Sequence, residues 1–373
     1  MNYLKNKFET VQTACKNVSK PTIAIDWLSL FCTSIHSDFL EPTPGPKTEL
    51  TITRGELNFV LRKTGTPFYT IVYDVIDDGD TVAVICCNPR RYSQQFNSTS
   101  CSLQISNHLF YTDYWDATLL KVITAASMEI KNITRLDIAL DGLGAQAEFL
   151  NLYLKQLPGT EVVCKVQTAS TITAYQYRDG QKYFQRFSIG SSKSDKYIAF
   201  YNKTAEITDS RKTYIPRFWE LNGLDQTTDV YRLEARIKSQ ALERYNIDVT
   251  DLTDVNMLLN IVRTSSEKAM AFVWKDYADS NKTRWEKYEL IDWDGFGAIP
   301  LAISNRPETD GLYPTKMEVK NLEKDRITNT IDWDTYSISR PRLDELIDRF
   351  ALNDWYVKRL PRWEREFGPK RRK

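Results

Sequence analysis

The feature that most constrains the fold is a run from Arg135 to Asp141 in which charged and apolar residues alternate. Alternation at period two places Arg135, Asp137 and Asp141 on one face of a β-strand and the leucine and isoleucine residues on the other. A second run, which begins at Arg232, repeats the pattern with Glu234 between two arginines. Two such strands predict a sheet with one acidic and basic face, suited to a metal-dependent phosphate site.

Length and charge limit the function classes. The 373 residues exceed the usual size of one domain, and a hydrophobic content of 42% is sufficient for a packed core. The formal net charge of +1 excludes a broadly basic protein, so binding to nucleic acid must rely on local clusters. No apolar run approaches the length of a membrane span, and we expect a cytoplasmic protein with no membrane partner.

Histidine and cysteine usage narrows the chemistry further. The two histidines, His36 and His108, are far apart, which excludes zinc sites built on paired histidines and a His-hydrophobe-His metal motif. The six cysteines have no CxxC spacing and are interpreted as buried, reduced thiols. Any metal is therefore expected on carboxylate oxygens, which favours Mg²⁺ or Mn²⁺.

The order of predicted elements indicates an α+β fold. Short strands separated by Pro, Gly and Asp turns fill residues 22–110, and a helix over about 112–128 precedes the acidic strand. We predict a mainly antiparallel sheet with a polar active face and with helices on its other face. Residues 1–240 would form a nuclease-like domain, and residues 241–373 a mostly helical accessory module for DNA specificity or oligomerisation.

Three segments in order resemble the replication initiation factor family. They are Arg135–Asp141, Ile189–Glu206 and Tyr231–Lys238, and the opening strand Ile23–Leu28 is also similar to the start of that family. The resemblance covers roughly residues 20–240. The family contains rolling-circle initiators of staphylococcal-type plasmids and some phages, with relatives among conjugative relaxases.

The resemblance implies a nuclease that nicks one strand of origin DNA with a tyrosine and a divalent metal, Mg²⁺ or Mn²⁺. The tyrosine keeps the 5′ phosphate and frees a 3′ hydroxyl. The implied metal ligands are Asp137, Asp141 and Glu234. Fixed positive charge would come from Arg135, Arg232 and Lys203, and the basic stretch that contains Arg186 and Lys193 would contact DNA phosphates.

The attacking residue is where the chain departs from the family pattern. The family tyrosine stands two residues before the hairpin glycine, and here that position is Ser188. If the hairpin turned about Ser192 and Lys193, Ser188 would lie opposite Tyr197, so we rank Tyr197 first as the nucleophile. Tyr183, which would need a β-bulge to reach the active face, ranks second and Tyr201 third.

Several alternatives stay open at the level of sequence. Paired Asp and Arg residues on a strand face are also typical of a solvated surface with weak ion pairs. The function is either rolling-circle initiation, conjugative relaxation, or non-catalytic binding of an origin by a protein that has lost its tyrosine. A host helicase and a second copy of the chain are further candidate partners.

Overall fold

The computed structural model describes residues 2–16, 21–34, 50–92, 96–155, 162–164, 172–178, 181–191, 193–210, 212–275, 281 and 284–293. All of them belong to the first of two units, residues 1–302. Residues 294–373 of the predicted accessory module, which include the whole second unit, lie outside the described residues. The predicted boundary at residue 240 stays a prediction. None of the described helices is long and apolar enough to cross a membrane.

Fourteen strands are described. They are β1 (Thr22–Ser34), β2 (Thr51–Arg54), β3 (Leu57–Leu61), β4 (Tyr69–Asp77), β5 (Asp80–Pro89), β6 (Ser100–Ile105), β7 (Met128–Asp141), β8 (Val162–Cys164), β9 (Ile172–Arg178), β10 (Gln181–Ile189), β11 (Lys196–Asn202), β12 (Tyr231–Lys238), β13 (Ala271–Trp274) and β14 (Lys287–Glu289).

The helices lie before and between these strands. They are α1 (Asn2–Lys16), α2 (Trp115–Ala125), α3 (Gly144–Lys155), α4 (Lys203–Ser210), α5 (Tyr214–Leu221), α6 (Ser239–Leu242) and α7 (Val255–Ser266), with short 3₁₀ turns at Asn107–Tyr111, Glu243–Tyr245 and Val249–Thr253. The order of strands and helices confirms the predicted α+β class.

Eleven strands form one sheet in the order β2-β3-β4-β5-β6-β1-β7-β12-β11-β10-β9, and every described pairing in it is antiparallel. Local turn chemistry explains the hairpins. Asp78 and Gly79 both have positive φ between β4 and β5, the geometry of a tight two-residue hairpin turn. Gly190 has φ +90° after β10, where a Cβ would lie 2.7 Å from the Lys196 carbonyl oxygen.

The apolar face of the sheet carries the core. Leu136, Ile138 and Leu140 of β7 are fully buried, as the alternation predicts. Helices α2 and α7 pack on this side, against β7 and β12 respectively. Each fully buried leucine or isoleucine contributes about 1.5–3 kcal/mol, so this face holds the sheet together while the opposite face remains available for polar groups.

A second, three-stranded sheet with the order β14-β13-β8 lies beside α1 and α3. Phe8 of α1 is its centre: the ring lies 5.0 Å from Phe149, 6.2 Å from Tyr288 and 6.3 Å from Trp274 between centroids. The region after residue 240 therefore contributes both α7 and part of this aromatic cluster to the first unit.

The structure adds one element to the predicted layering. Helix α5 lies on the polar face, where Trp219 donates from Nε1 to Oδ2 of Asp141 at 2.7 Å. Helices therefore pack on both faces, and not only on the apolar one as predicted. The physical reason is that a buried carboxylate needs donors, and α5 supplies one together with the apolar cover of a fully buried tryptophan.

Candidate active site

The polar face forms at the four central strands β7, β12, β11 and β10. One row of directly paired residues crosses it as Ser188, Ala199, Glu234 and Ala139. Paired residues project to the same side of a sheet. Glu234 is thus the large side chain in a row of small ones, between an Arg232–Asp141 pair on one side and an Arg236–Asp137 pair on the other.

The first pair belongs to a buried ion cluster. The guanidinium of Arg232, which has no exposed surface, donates to both oxygens of Asp141 at 2.6 and 2.7 Å. It also donates to Oδ1 of Asp26 at 2.6 Å and to the hydroxyl oxygen of Tyr111 at 3.1 Å. Burial lowers the pKa of Arg232, but Asp141, Tyr111 and Asp26 together outweigh it and the net shift is upward. Arg232 braces the site in this arrangement and does not present its charge to solvent.

Asp26 joins this cluster because β1 has a bulge there. The register against β7 shifts between Ile25 and Trp27, which leaves Asp26 as the extra residue. Its Oδ1 also accepts from the hydroxyl of Tyr111 at 2.6 Å. Burial alone would raise the pKa of Asp26, but the charges of Arg232 and Lys203 outweigh it and hold the pKa well below its usual value.

The second pair is open to solvent on its cationic side. Arg236 donates from Nε to Oδ2 of Asp137 at 3.1 Å, and Arg135 donates from Nε to Oδ1 at 2.8 Å. The two arginine side chains are 22% and 27% exposed, while Asp137 is buried. The Arg135 guanidinium also lies 4.4 Å from the centroid of the Trp27 ring. Both guanidinium groups are therefore accessible from solvent.

Glu234 and Tyr201 form the central polar contact. The hydroxyl of Tyr201 donates to Oε2 of Glu234 at 2.8 Å, and Arg236 approaches Oε1 at 3.5 Å. Burial, together with the negative charges of Asp26 and Asp137, raises the pKa of Glu234. Burial and the neighbouring Glu234 charge raise the pKa of Tyr201 well above its usual value. A hydroxyl and a carboxylate of elevated proton affinity thus lie in direct contact.

Arg186 lies beside two tyrosines. Its exposed guanidinium donates to the Tyr197 hydroxyl and is 5.7 Å from the Tyr197 ring centroid and 5.8 Å from that of Tyr201. On the other side of Tyr197, the Arg236 guanidinium is 5.3 Å from the ring. Two cations therefore flank the two candidate tyrosines on the solvent side of the face.

Lys203 begins α4 and is buried under this surface. The Lys203 ammonium pairs with Glu206 and lies 5.6 Å from the Tyr201 ring centroid. Glu206 also accepts a hydrogen bond from Lys212 at 3.3 Å. Burial and then the charge of Arg232 lower the pKa of Lys203. The predicted cation is thus next to Tyr201, with Glu206 as an unpredicted partner.

The register of the β10–β11 hairpin differs from the predicted one. Ser188 pairs with Ala199, two residues from the expected Tyr197. The hairpin centre lies one residue later than a symmetric turn about Ser192 and Lys193 predicts, because β10 ends at Ile189 and β11 begins only at Lys196. Tyr197 and Tyr201 therefore flank the Ser188–Ala199 pair from opposite sides, so strand geometry no longer favours Tyr197.

The remaining predicted residues are placed as follows. Lys193 is exposed at the end of the hairpin. The exposed arginines of the active face, which form its basic rim, are Arg135, Arg186 and Arg236. A pairing irregularity against β9 does occur in β10, between Phe184 and Arg186, but the side chain of Tyr183 lies outside the described residues. Ser188 is buried on the active face.

The predicted metal ligands do not form a metal site made by the protein alone. Asp137 and Asp141 are four residues apart on one strand, a span of about 13 Å, and both carboxylates already accept bonds from arginines. Among the described residues no group of three His, Cys, Asp or Glu side chains is arranged to hold an ion. Mg²⁺ often relies on one or two carboxylates plus substrate phosphates, a role that Glu234 fits better than the predicted trio.

Sequence reasoning missed the second layer of the site. Asp26, Tyr111 and Trp219 complete the cluster around Arg232 but are distant from it in sequence. One signal for Asp26 was available, since a lone acid stands within the apolar strand Thr22–Leu28. Tyr111 and Trp219 gave no such signal, because aromatic residues at these positions are equally typical of the core.

Two known proteins are similar to this chain. The chain is 24% identical over 233 residues to the putative DNA relaxase NicK of Bacillus subtilis (strain 168), a match that covers 61% of this chain. The chain spans about 61% of the length of that curated relative. A solved structure of the rolling circle replication initiator protein from Geobacillus stearothermophilus matches with a TM-score of 0.45 and 17% identity, over 75% of this chain and 96% of that chain.

A family model described as replication initiation factor matches residues 131–307. That segment contains most of β7, the β10–β11 hairpin and β12, the strands that carry Asp137, Tyr201 and Glu234. The ordered motifs meet on one sheet face, as a shared site requires. Over that segment the chain is similar to the replication initiation factor family.

Proposed function

We propose that this protein nicks and rejoins one strand of DNA to initiate rolling-circle replication. The observation that carries the proposal is the hydrogen bond from the Tyr201 hydroxyl to Glu234, with Arg186 and Arg236 beside it. A nucleophile within hydrogen-bond reach of a base, bordered by cations, is the arrangement that phosphoryl transfer needs.

In the proposed reaction Tyr201 is the attacking residue. Its oxygen attacks the scissile phosphorus, its proton passes to Glu234, and the bond from phosphorus to the 3′ oxygen breaks. The 5′ phosphate stays on the tyrosine, and the released 3′ oxygen takes up a proton. Because the pKa of Tyr201 is raised, the hydroxyl holds its proton until a base removes it, which gives Glu234 a necessary role.

The arginines bind and neutralise the phosphate. Arg135, Arg186 and Arg236 have solvent-exposed guanidinium surface around the Tyr201–Glu234 contact. Planar guanidinium groups stabilise the negative charge that develops on the phosphate oxygens. Arg232 and Lys203 position Asp26 and Tyr201 from beneath. We also propose that nicking requires Mg²⁺ or Mn²⁺, bound together with the DNA phosphate.

A conjugative relaxase is the closest variant of this proposal. The similarity to a putative DNA relaxase supports it, and the chemistry of nicking and rejoining is the same. The two functions differ in which DNA is nicked and which helicase follows.

A non-catalytic origin-binding protein is the second candidate, favoured by Ser188. A buried serine stands where the family has its tyrosine. If Tyr201 does not replace that residue, the basic rim would bind DNA without cleaving it.

One experiment separates these functions. Supercoiled origin DNA is incubated with the protein and Mn²⁺, and the trapped peptide is identified by mass spectrometry. We expect open circles with the nucleotide on Tyr201, and no adduct from Tyr201→Phe. The matched controls Tyr197→Phe and Ser188→Ala should remain competent. An adduct on Tyr197, Tyr183 or Ser188 would refute the choice of Tyr201, and no adduct on any residue would favour the binding protein.

A further inference from the structure

A cleft with exposed aromatic rings lies where β4 begins and β5 ends. It has a volume of about 860 Å³, and its lining includes Phe68, Tyr69, Tyr92 and Phe96. The Phe68 side chain is 76% exposed and that of Tyr92 63%. Such a cluster of exposed, large aromatic side chains is typical of an interaction site.

The charges around the cleft are of one sign. Arg90 and Arg91 line it, and no acidic residue does so among the described residues. Local bonds fix the geometry: Arg90 donates from Nε to the Thr66 carbonyl oxygen at 2.9 Å, and the Tyr92 hydroxyl donates to Oδ1 of Asn88 at 2.8 Å. Positive charge with rigid aromatic rings complements a polyanion that carries flat, unpaired bases.

The cleft is continuous with the active face along β1. Trp27 pairs with Asp137 and so projects to the active face, and alternation places Phe31 on the same side. The Phe31 ring lies 5.4 Å from that of Phe96, at the border of the cleft. Trp27 itself lies against Arg135. Aromatic groups therefore lead from the proposed nicking site to the cleft.

We propose that this cleft binds unpaired bases of single-stranded DNA, by stacking on Phe68, Tyr92 and Phe96, while Arg90 and Arg91 contact the phosphates. The inference rests on the proposed function, in which a single strand is exposed at the nick. Duplex DNA keeps its bases stacked inside the helix and offers the rings no partner, so the cleft selects single strands.

The test measures binding of a fluorescein-labelled oligothymidylate and of a duplex of equal length by fluorescence anisotropy. The double variant Phe68→Ala/Tyr92→Ala should bind the oligothymidylate at least about tenfold more weakly, with less than about a twofold change for the duplex. The conservative variant Phe68→Tyr/Tyr92→Phe should retain wild-type affinity. Tyr114→Ala, at an exposed tyrosine outside the cleft, is the matched control and should change neither affinity. Thermal melting confirms that each variant is folded.

Unchanged oligothymidylate binding in the double variant would overturn the inference and would point to a protein partner for the cleft. An equal loss for single strand and duplex would overturn it as well. The nicking assay gives an independent result. Ring-dependent binding without an adduct would support the cleft as a single-strand site and refute nicking. An adduct without ring-dependent binding would support nicking and refute the cleft as a single-strand site.

Discussion

Two ion pairs with the same chemistry have different environments on this sheet. Arg232 pairs with Asp141 and Arg236 with Asp137, each directly across β12 and β7. The Arg232 side chain has no exposed surface, whereas that of Arg236 is 22% exposed. The difference comes from the cover: Trp219, Tyr111 and Asp26 enclose the first pair. One motif thus gives a buried structural brace at one end of the face and a solvent-exposed edge at the other.

Glu234 lies between the two pairs, and its removal should have the largest effect. Glu234→Gln should lower the rate of adduct formation by about 10²–10⁴-fold, the usual contribution of a general base. The Glu234 carboxylate is buried and is repelled by the charges of Asp26 and Asp137, and both effects raise its pKa. Because the variant removes this unfavourable negative charge, the melting temperature should not fall. Single-turnover kinetics with a suicide oligonucleotide measure the rate.

The pH dependence provides a check on the same residue. In the wild type, adduct formation should fall as the pH drops through the Glu234 pKa, which burial and the charges of Asp26 and Asp137 raise above the ordinary value of a glutamate. A wild-type acid limb that persists unchanged in Glu234→Gln would argue against a role as proton acceptor.

The free energy of unfolding should fall much more when Arg232 is replaced than when Arg236 is replaced. Arg232→Met removes the guanidinium that pairs with the carboxylates of Asp141 and Asp26 and should lower the free energy of unfolding by about 3–5 kcal/mol. Arg236→Met, the matched control, should cost about 1 kcal/mol or less, since solvent reaches that pair. Urea titrations of both variants measure the difference. Equal losses would contradict the contrast between brace and edge.

Acid unfolding should depend on the same brace. The pKa of Asp26 is lowered in the folded state, so its stabilising contribution is present above the unfolded value of about 3.9 and is lost as the pH falls below it. The loss of stability between about pH 4 and 2 should be smaller in Arg232→Met than in the wild type, because Arg232 is the largest source of the lowered pKa.

The affinity for DNA should depend on the exposed arginines and not on the buried Arg232. Arg186→Gln and Arg236→Gln should each weaken binding and reduce the slope of log affinity against log salt concentration by about one. Arg232→Met, where it remains folded, should leave that slope unchanged because its guanidinium is buried. A reduced slope in Arg232→Met would place this arginine on the DNA.

The smallest expected effect concerns metal on the free protein. Mg²⁺ or Mn²⁺ should not shift the melting temperature without DNA, because arginines already occupy Asp137 and Asp141. EDTA should nevertheless abolish nicking if the ion binds together with the phosphate. A stabilising shift without DNA would indicate a protein-only metal site, and full activity in EDTA would refute metal dependence.

Much of the site could be predicted where strand periodicity determines it. Alternation alone assigned Asp137, Asp141 and Glu234 to one face, and the pairing of β7 with β12 confirms it. The predicted pairing of Ser188 with Tyr197 was wrong, because hairpin register depends on where each strand ends. A shift of two residues retains the face and changes the partner, which is why the set of tyrosines was predictable and their ranking was not.

The amino-acid sequence was sufficient to predict the α+β class, the polar face and the resemblance to the family, since each depends on short-range alternation and on motifs within single strands. The tertiary structure decided which charges are buried. Asp26, Tyr111 and Trp219 reach Arg232 from β1, a 3₁₀ turn and α5, and such contacts leave no periodic trace in the sequence. The free energy of a charge depends on the groups that surround it in three dimensions, so the same Arg–Asp pair stabilises the fold at one position and remains accessible to a phosphate at the other.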